Sequence, residues 1–405
     1  MCRHATTFIS FVRAAFLLLV PVLCANLAHA EIDYRGVNLS AAAFGHYSDT
    51  DASANHLPGV YNTDYVYPAD SYFDYFHSLG MNTFRIPFRW ERIQPTLDGA
   101  LDMDELARLE HVVDYVTGFG GNVILDVHNY ARYSAADGMH ILGVDLENST
   151  FSDLWTRLAT AFENRNGVIF GLMNEPHIDP PIDLSTERVV SFTNDALTAI
   201  RATGATNLVL VQGNGYSGGH SWEQGWYGTP NSTAMLNVVD PGHNMAFEVH
   251  QYVDNNEDPT TDGEDFDKDY SGTTDNVESA TIAAEKLSGF MDWLRANGLR
   301  GFLGELGTPA SDLGVQAMYN GVNFVEQNAD VWMGWTLWSG GPWWDGADDA
   351  HRYILSLNPL SDGSTAPQLA ALEPFLAVPE PGTCALVATG GLALAFAYRR
   401  RARRN

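Results

Sequence analysis

"VIFGLMNEPH", residues 168–177, is apolar for six successive positions and then turns abruptly to Asn174, Glu175 and Pro176. An apolar run without alternation is what a strand shows when both of its faces are covered, as in a parallel sheet flanked by helices. Its ending is unusual, because a carboxylate stands between an amide and a proline. Pro176 stops the strand ladder and fixes the turn, so Glu175 is presented from the end of a rigid element. One such ending could be an accident of a loop. Its meaning depends on whether the chain supplies a second carboxylate and a fold that brings the two together.

The same kind of run recurs along the chain: "YRGVNL" (34–39), "TFRIPF" (83–88), "NVILDVH" (122–128), "LVLVQGN" (208–214), "MAFEVHQY" (245–252), "GFLGELG" (301–307) and "VWMGWTLW" (331–338). Amphipathic stretches lie between them. Leu106, Leu109, Val113 and Val116 share one helix face, with Asp102 and Glu105 spaced as a capping box. Val189, Phe192, Ala196 and Ile200 repeat the pattern, and residues 276–298 read as a helix closed by Asn297 and Gly298. Eight strand–helix alternations predict an α/β chain folded as a (β/α)8 TIM barrel, a single catalytic domain over residues 31–375. A doubly wound open sheet is the structural rival. It usually carries a glycine-rich loop after its first strand, and "GVNLSAAAFGH" is not one.

Both ends read as address labels. Residues 1–30 hold Arg3, Arg13, the apolar run "AAFLLLVPVLCANLA" and then "AHA", the layout of a signal peptide cut after Ala30. Residues 376–405 hold Pro-Glu-Pro, a short apolar stretch and an arginine cluster. That order resembles the PEP-CTERM sorting segment of Gram-negative bacteria, which implies export, recognition by an exosortase and cleavage near Pro379–Pro381; a plain membrane anchor is the alternative. Seven of the 22 basic residues and none of the 50 acids lie outside residues 31–381, so that segment carries a formal charge of −35. Such acidity disfavours nucleic acid and anionic membrane surfaces as partners. Cys2, Cys24 and Cys384 also fall in the ends, so the domain must be held by its core without disulfides. A monomer is the default expectation.

In a barrel of this kind, sites form at the C-terminal ends of the strands. Those ends carry Arg85, His128 with Asn129, Asn174 with Glu175, His250 with Tyr252, Glu305 and Trp338. Any one of them has an ordinary structural explanation, but together they point to one mouth. Glu175 and Glu305 come from nearly opposite strands. Two carboxylates across a cleft suit glycosidic cleavage, one giving a proton to the leaving oxygen and the other attacking the sugar or activating water. Their surroundings must push their acidities apart. Arg85 and Tyr252 can hold one as the anion, while the other, beside a less charged neighbour such as His250 or Asn174, keeps its proton.

Seven segments then match one family in order: "FRIPFRWERIQP", "LDVHNYARY", "IFGLMNEPH", "GNGYSGGHSW", "FEVHQYVD", "GELG" and "GWTLWSGGPWW". The chain resembles glycoside hydrolase family 5, in the branch of fungal and bacterial endo-β-1,4-glucanases. The resemblance implies a retaining mechanism with Glu175 as acid/base, Glu305 as nucleophile, and Arg85 and Tyr252 bonded to the nucleophile. It implies that Asn174 bonds the sugar 2-hydroxyl, that His128 and His250 position sugar and acid/base, and that Trp338 forms the sugar platform. It implies a polysaccharide substrate and no cofactor.

Around these, Asn129 and the aromatics Trp90, Tyr130, Trp222, Trp226, Trp343 and Trp344 are candidates for contact with glucose rings. The acidic stretch 254–275 invites a calcium reading, but Tyr270 stands where an EF-hand loop needs glycine, so a solvated loop is expected. The histidines show no metal-site spacing. A mannanase, xyloglucanase or β-1,3-glucanase on the same residues, and a non-catalytic surface carbohydrate-binding protein, are the alternatives.

Overall fold

A computed structural model describes residues 31–44, 58–177, 184–254, 276–345, 349 and 352–376. The end segments and nearly all of the 254–275 stretch lie outside these. All eight apolar runs are strands: β1 Tyr34–Leu39, β2 Thr83–Phe88, β3 Asn122–Val127, β6 Val168–Gly171, β7 Val209–Gln212, β8 Met245–Tyr252, β9 Gly301–Gly307 and β10 Trp332–Gly340. They pair in parallel and close into a barrel in the order β1-β10-β9-β8-β7-β6-β3-β2. This is the (β/α)8 architecture that the alternation predicts. β4 (Arg132–Ala135) and β5 (Gly138–Ile141) form a separate antiparallel hairpin after β3.

The longer helices are α1 Asp70–Ser78, α2 Met103–Gly118, α3 Asn148–Phe162, α4 Thr186–Ala202, α5 Ile282–Asn297 and α6 Asp312–Glu326. On α2 the expected face, Leu106, Leu109, Val113 and Val116, is buried. The Asp102 carboxylate caps it by accepting from the Asp104 and Glu105 N–H groups. The reciprocal half of the capping box is missing, because the Glu105 side chain is taken by Tyr65, Tyr67 and Arg108. The helix expected over 276–298 starts only at Ile282, since Val277 is held extended against Asp254. It ends as expected at Gly298, at φ 64°, a left-handed position that glycine takes without a Cβ clash.

Side chains two apart on a strand share a face. The base of the barrel is filled by Ile124, Ile169, Leu208, Leu210, Ala246 and Phe302. Two positions further along the strands, the inward side chains turn ionic: Asp126 follows Ile124 on β3 and Glu248 follows Ala246 on β8. A second step reaches His128 and His250 at the mouth. Barrel depth is therefore graded from apolar plug to charged tier to open cleft. On β9 the pairing with β8 passes from Val249↔Leu303 to His250↔Glu305. Gly304 is the extra residue of this bulge, which re-aims the strand so that Glu305 turns inward.

The last described segment runs down the barrel wall. Gln368 donates to the Thr308 carbonyl just past the top of β9. Leu376 lies against Gly80, ahead of the start of β2, where an added Cβ would stand 2.0 Å from its carbonyl oxygen.

Candidate active site

Arg85 is fully buried and joins most of the expected residues. Its Nη1 donates to Glu305 Oε1 at 2.9 Å and to Asn38 Oδ1 at 2.9 Å; its Nη2 donates to Asn174 Oδ1 at 2.8 Å. The guanidinium also lies 3.1 Å from Asp126 Oδ2 and 3.1 Å from Glu248 Oε1. A buried cation among three carboxylates stays charged, and its acidity is weaker still than that of free arginine. Tyr252 donates its hydroxyl to Glu305 Oε2 at 2.5 Å. Glu305 thus receives the two donors expected of it.

Glu175 reaches the same space from the end of β6. Its backbone is left-handed, at φ 43°, and its N–H is held by Gln212 Oε1 at 2.6 Å. This is a local strain that its surroundings must hold. Glu175 Oε1 meets His250 Nδ1 at 2.6 Å, and the same nitrogen lies 3.5 Å from Glu305 Oε2. One side-chain atom each of Glu175, His250 and Glu305 falls within 4.8 Å of the others. A cation could bridge that spacing, but Glu175 Oε1 and His250 Nδ1 are already bonded to each other, and Glu305 Oε2 accepts from Tyr252.

The proton distribution differs from the sequence expectation. Burial alone would lower His250, yet Glu305, Glu175 and Glu248 around it outweigh that and lift it to about 10. The neighbour of Glu175 is therefore a cation. Although burial works to raise Glu175, the hydrogen bond and charge of His250 hold it below the ordinary carboxylate range. Burial pushes Glu305 up, aided by the charge of Glu175 and opposed by His250 and Arg85. The proton expected on Glu175 rests on His250, one 2.6 Å hydrogen bond away.

His128 behaves differently. Burial lowers it to about 3, so its ring is neutral. Its Nδ1 meets Asp126 at 2.7 Å, and burial lifts Asp126 to about 7 against the pull of Arg85. This leaves Nε2 as an acceptor for Asn174 Nδ2 at 3.3 Å and the Tyr130 hydroxyl at 3.1 Å. Trp338 stacks flat over the His128 ring, with centroids 5.8 Å apart, and meets Trp344 edge-on.

Three of the candidates for sugar contact lie elsewhere. Trp222 is fully buried and packs with Phe247, Phe290 and Trp293 behind the barrel wall. Trp90 is also core, packed on Tyr133 and Phe151. The amide of Asn129 is consumed internally, accepting from Trp90 N–H and donating to Glu91 and the Arg132 carbonyl. Trp226 is exposed and its ring meets Tyr227. Trp344 stacks on Tyr353 and donates to Ser40, and exposed Trp343 stacks on Phe44. Sequence reading named Tyr130 but missed His177 and Tyr216, which complete a wall with it and stack on each other at 4.0 Å. It also missed Asp126 and Glu248, although "DVH" and "EVH" place each carboxylate on the same strand face as its histidine.

Paired carboxylates at the mouth of a (β/α)8 barrel, one held by an arginine and a tyrosine and one by a histidine, define a glycosidase-type site. Residues 43–341 match the cellulase model, glycosyl hydrolase family 5, and the chain belongs to that family. It is 32% identical over 353 residues to endoglucanase 1 of Robillarda sp., covering 84% of this chain and 86% of the relative. Its structure resembles that of an endo-β-1,4-glucanase from Xanthomonas axonopodis pv. citri (TM-score 0.73, 40% identity, 85% of this chain and 98% of the other). It also resembles XacCel5A in complex with cellopentaose (TM-score 0.74, 41% identity, 85% and 99%). Residues 377–402 match the PEP-CTERM protein-sorting motif, which marks the chain for export and exosortase-dependent sorting in a bacterium.

Proposed function

We propose that the chain is a retaining endo-β-1,4-glucanase that cuts cellulose-type glucan by double displacement. The carrying observation is the approach of Glu175 and Glu305 side-chain atoms to within 4.8 Å. Retaining enzymes hold their carboxyl groups about 5–5.5 Å apart, whereas inverting ones leave about 6.5–9.5 Å for a water. Glu305, bonded by Arg85 and Tyr252, attacks the anomeric carbon as a carboxylate. The bond to the leaving oxygen breaks as Glu175 supplies that oxygen with a proton drawn through His250. Water then attacks the glycosyl ester, Glu175 takes its proton, and Glu305 leaves as the anion. Asn174, fixed by Arg85, bonds the sugar 2-hydroxyl, and His128 offers Nε2 to a neighbouring hydroxyl. Trp338, Trp344 and Tyr130 supply the aromatic surface beside the cleavage point. The family and the endoglucanase relatives support the β-1,4-glucan substrate. The sorting motif at residues 377–402, with the signal-peptide layout expected of residues 1–30, supports release into, or display on, the envelope of a Gram-negative cell.

The test is hydrolysis of cellopentaose followed by NMR of the first-formed anomer. Net retention is expected; inversion overturns the double displacement. Glu305→Gln should abolish turnover while leaving cellopentaose binding intact, and Glu175→Gln should cost about 10²–10⁴ in kcat.

A further inference from the structure

Glu248 is a buried carboxylate that the reaction above does not use. It lies on the inner face of β8, two residues before His250, and is fully buried. Its Oε1 stands 3.2 Å from His250 Nε2 and 3.1 Å from Arg85 Nε. The neighbouring strand makes room for it, since a Cβ on Gly304 would stand 1.9 Å from Glu248 Oε1. We propose that Glu248 is a positioning residue for glycosidic cleavage: it holds the His250 ring with Nε2–H turned inward and Nδ1 facing Glu175, and so retains the proton that Glu175 passes to the leaving oxygen. The proposal rests on the reading of Glu175 as the acid/base.

The orientation of His250 follows from its neighbours. Gln212 is fixed by the Glu175 N–H that its Oε1 accepts, so its amide nitrogen is the end 3.3 Å from His250 Nε2. That amide also bonds Glu248. Two nitrogens therefore converge on one carboxylate, and Nε2 acts as a donor. The opposite ring nitrogen is left for Glu175 at 2.6 Å.

The charged groups around the ring come from several elements. Glu175 faces it from the end of β6, Glu305 from β9 at 3.5 Å, and Glu248 from its own strand. Gln212 on β7 is uncharged. Arg85 on β2, Asp126 on β3 and Tyr252, bonded to Glu305, stand one residue further out. Of the three carboxylates facing the ring, only Glu248 has no part in bond making or breaking. Its charge can be removed without removing a reacting group, which separates positioning from catalysis.

The experiment compares the full chain with Glu248→Gln, reading kcat/KM for cellopentaose against pH. Gln keeps the shape and an acceptor for Nε2–H but removes the charge. The expected result is a basic limb displaced to lower pH by about 1–3 units, the effect of losing an opposite charge a few ångströms away. A uniform loss at every pH with the basic limb in place overturns the proposal, since a merely structural role would give that. Imidazole NMR of the wild-type chain gives a second reading if the variant does not fold. His250 should keep its charge through pH 8, and a midpoint near the free value of roughly 6.5 overturns the proposal. Glu175→Gln separates the two readings. If that variant hydrolyses cellopentaose as the wild type does, the acid/base assignment fails; if it is inactive while Glu248→Gln leaves the limb unmoved, only the role of Glu248 fails.

Discussion

Arg85 carries one buried positive charge against Asp126, Glu248 and Glu305. Deleting one partner of a buried ion pair strands the other, at a cost of about 3–5 kcal/mol. Arg85→Met should lower the urea midpoint by a corresponding amount and abolish activity together with it; an unchanged midpoint would mean that the carboxylates are relieved elsewhere. Titration at the mouth sets a bell-shaped kcat/KM profile. As pH falls through the raised acidity constant of Glu305, that group takes a proton and cannot attack. The acid limb should therefore lie above the roughly 4.3 of a free glutamate. As pH rises toward about 10, His250 gives up the proton destined for Glu175, and the basic limb follows. Both limbs belong to the coupled cluster. His128, Asn174, Glu175, His250 and Tyr252 were legible because each stands at or just past the end of an apolar run, where a polar side chain has no packing reason to be, and Arg85 and Glu305, which lie inside their runs, through the matched segments "FRIPFRWERIQP" and "GELG". Asp126 and Glu248 were not noticed, because an acid inside a run reads as an interruption until its partner cation is known. Trp222 and Asn129 show the opposite limit, since residue type does not say which side of a wall a ring or amide occupies.

Gly304 shows how an element, rather than a residue, builds the site. It is the extra residue of the β9 bulge and the place where Glu248 needs space. Gly304→Ala puts a methyl into a carboxylate, so the variant should lose activity and stability together, and Glu248→Ala in the same chain should restore stability but not the pH profile. A thermal melt of the single and double variants checks this. Asp102→Ala removes the two backbone bonds at the start of α2 and should cost about 1 kcal/mol with kcat unchanged. Strands were legible because burial on both faces leaves unbroken apolar runs, and the α5 terminus because Gly298 marks a left-handed stop. The start of α5 was not, since Val277 pairs with a residue more than twenty positions earlier. The β4–β5 hairpin had a local signal in Asp137-Gly138, a turn dipeptide, but its strands are too short and half-exposed to stand out.

For the molecule as a whole, acidity is the dominant surface property. A formal charge of −35 over residues 31–381 acts as self-repulsion that salt screens within a Debye length of about 8 Å at physiological ionic strength. The melting temperature should rise as salt is added from very low concentration; a fall would mean that attractive surface pairs outweigh the net charge. The parallel barrel also fixes where the chain enters and leaves. β1 starts at the floor of the barrel, and the last described segment descends from beside Thr308 to Gly80 at the same floor. The described chain therefore ends, at Leu376, at the pole opposite the cleft. A long polymer can therefore lie across the opening without meeting the place where the described chain ends.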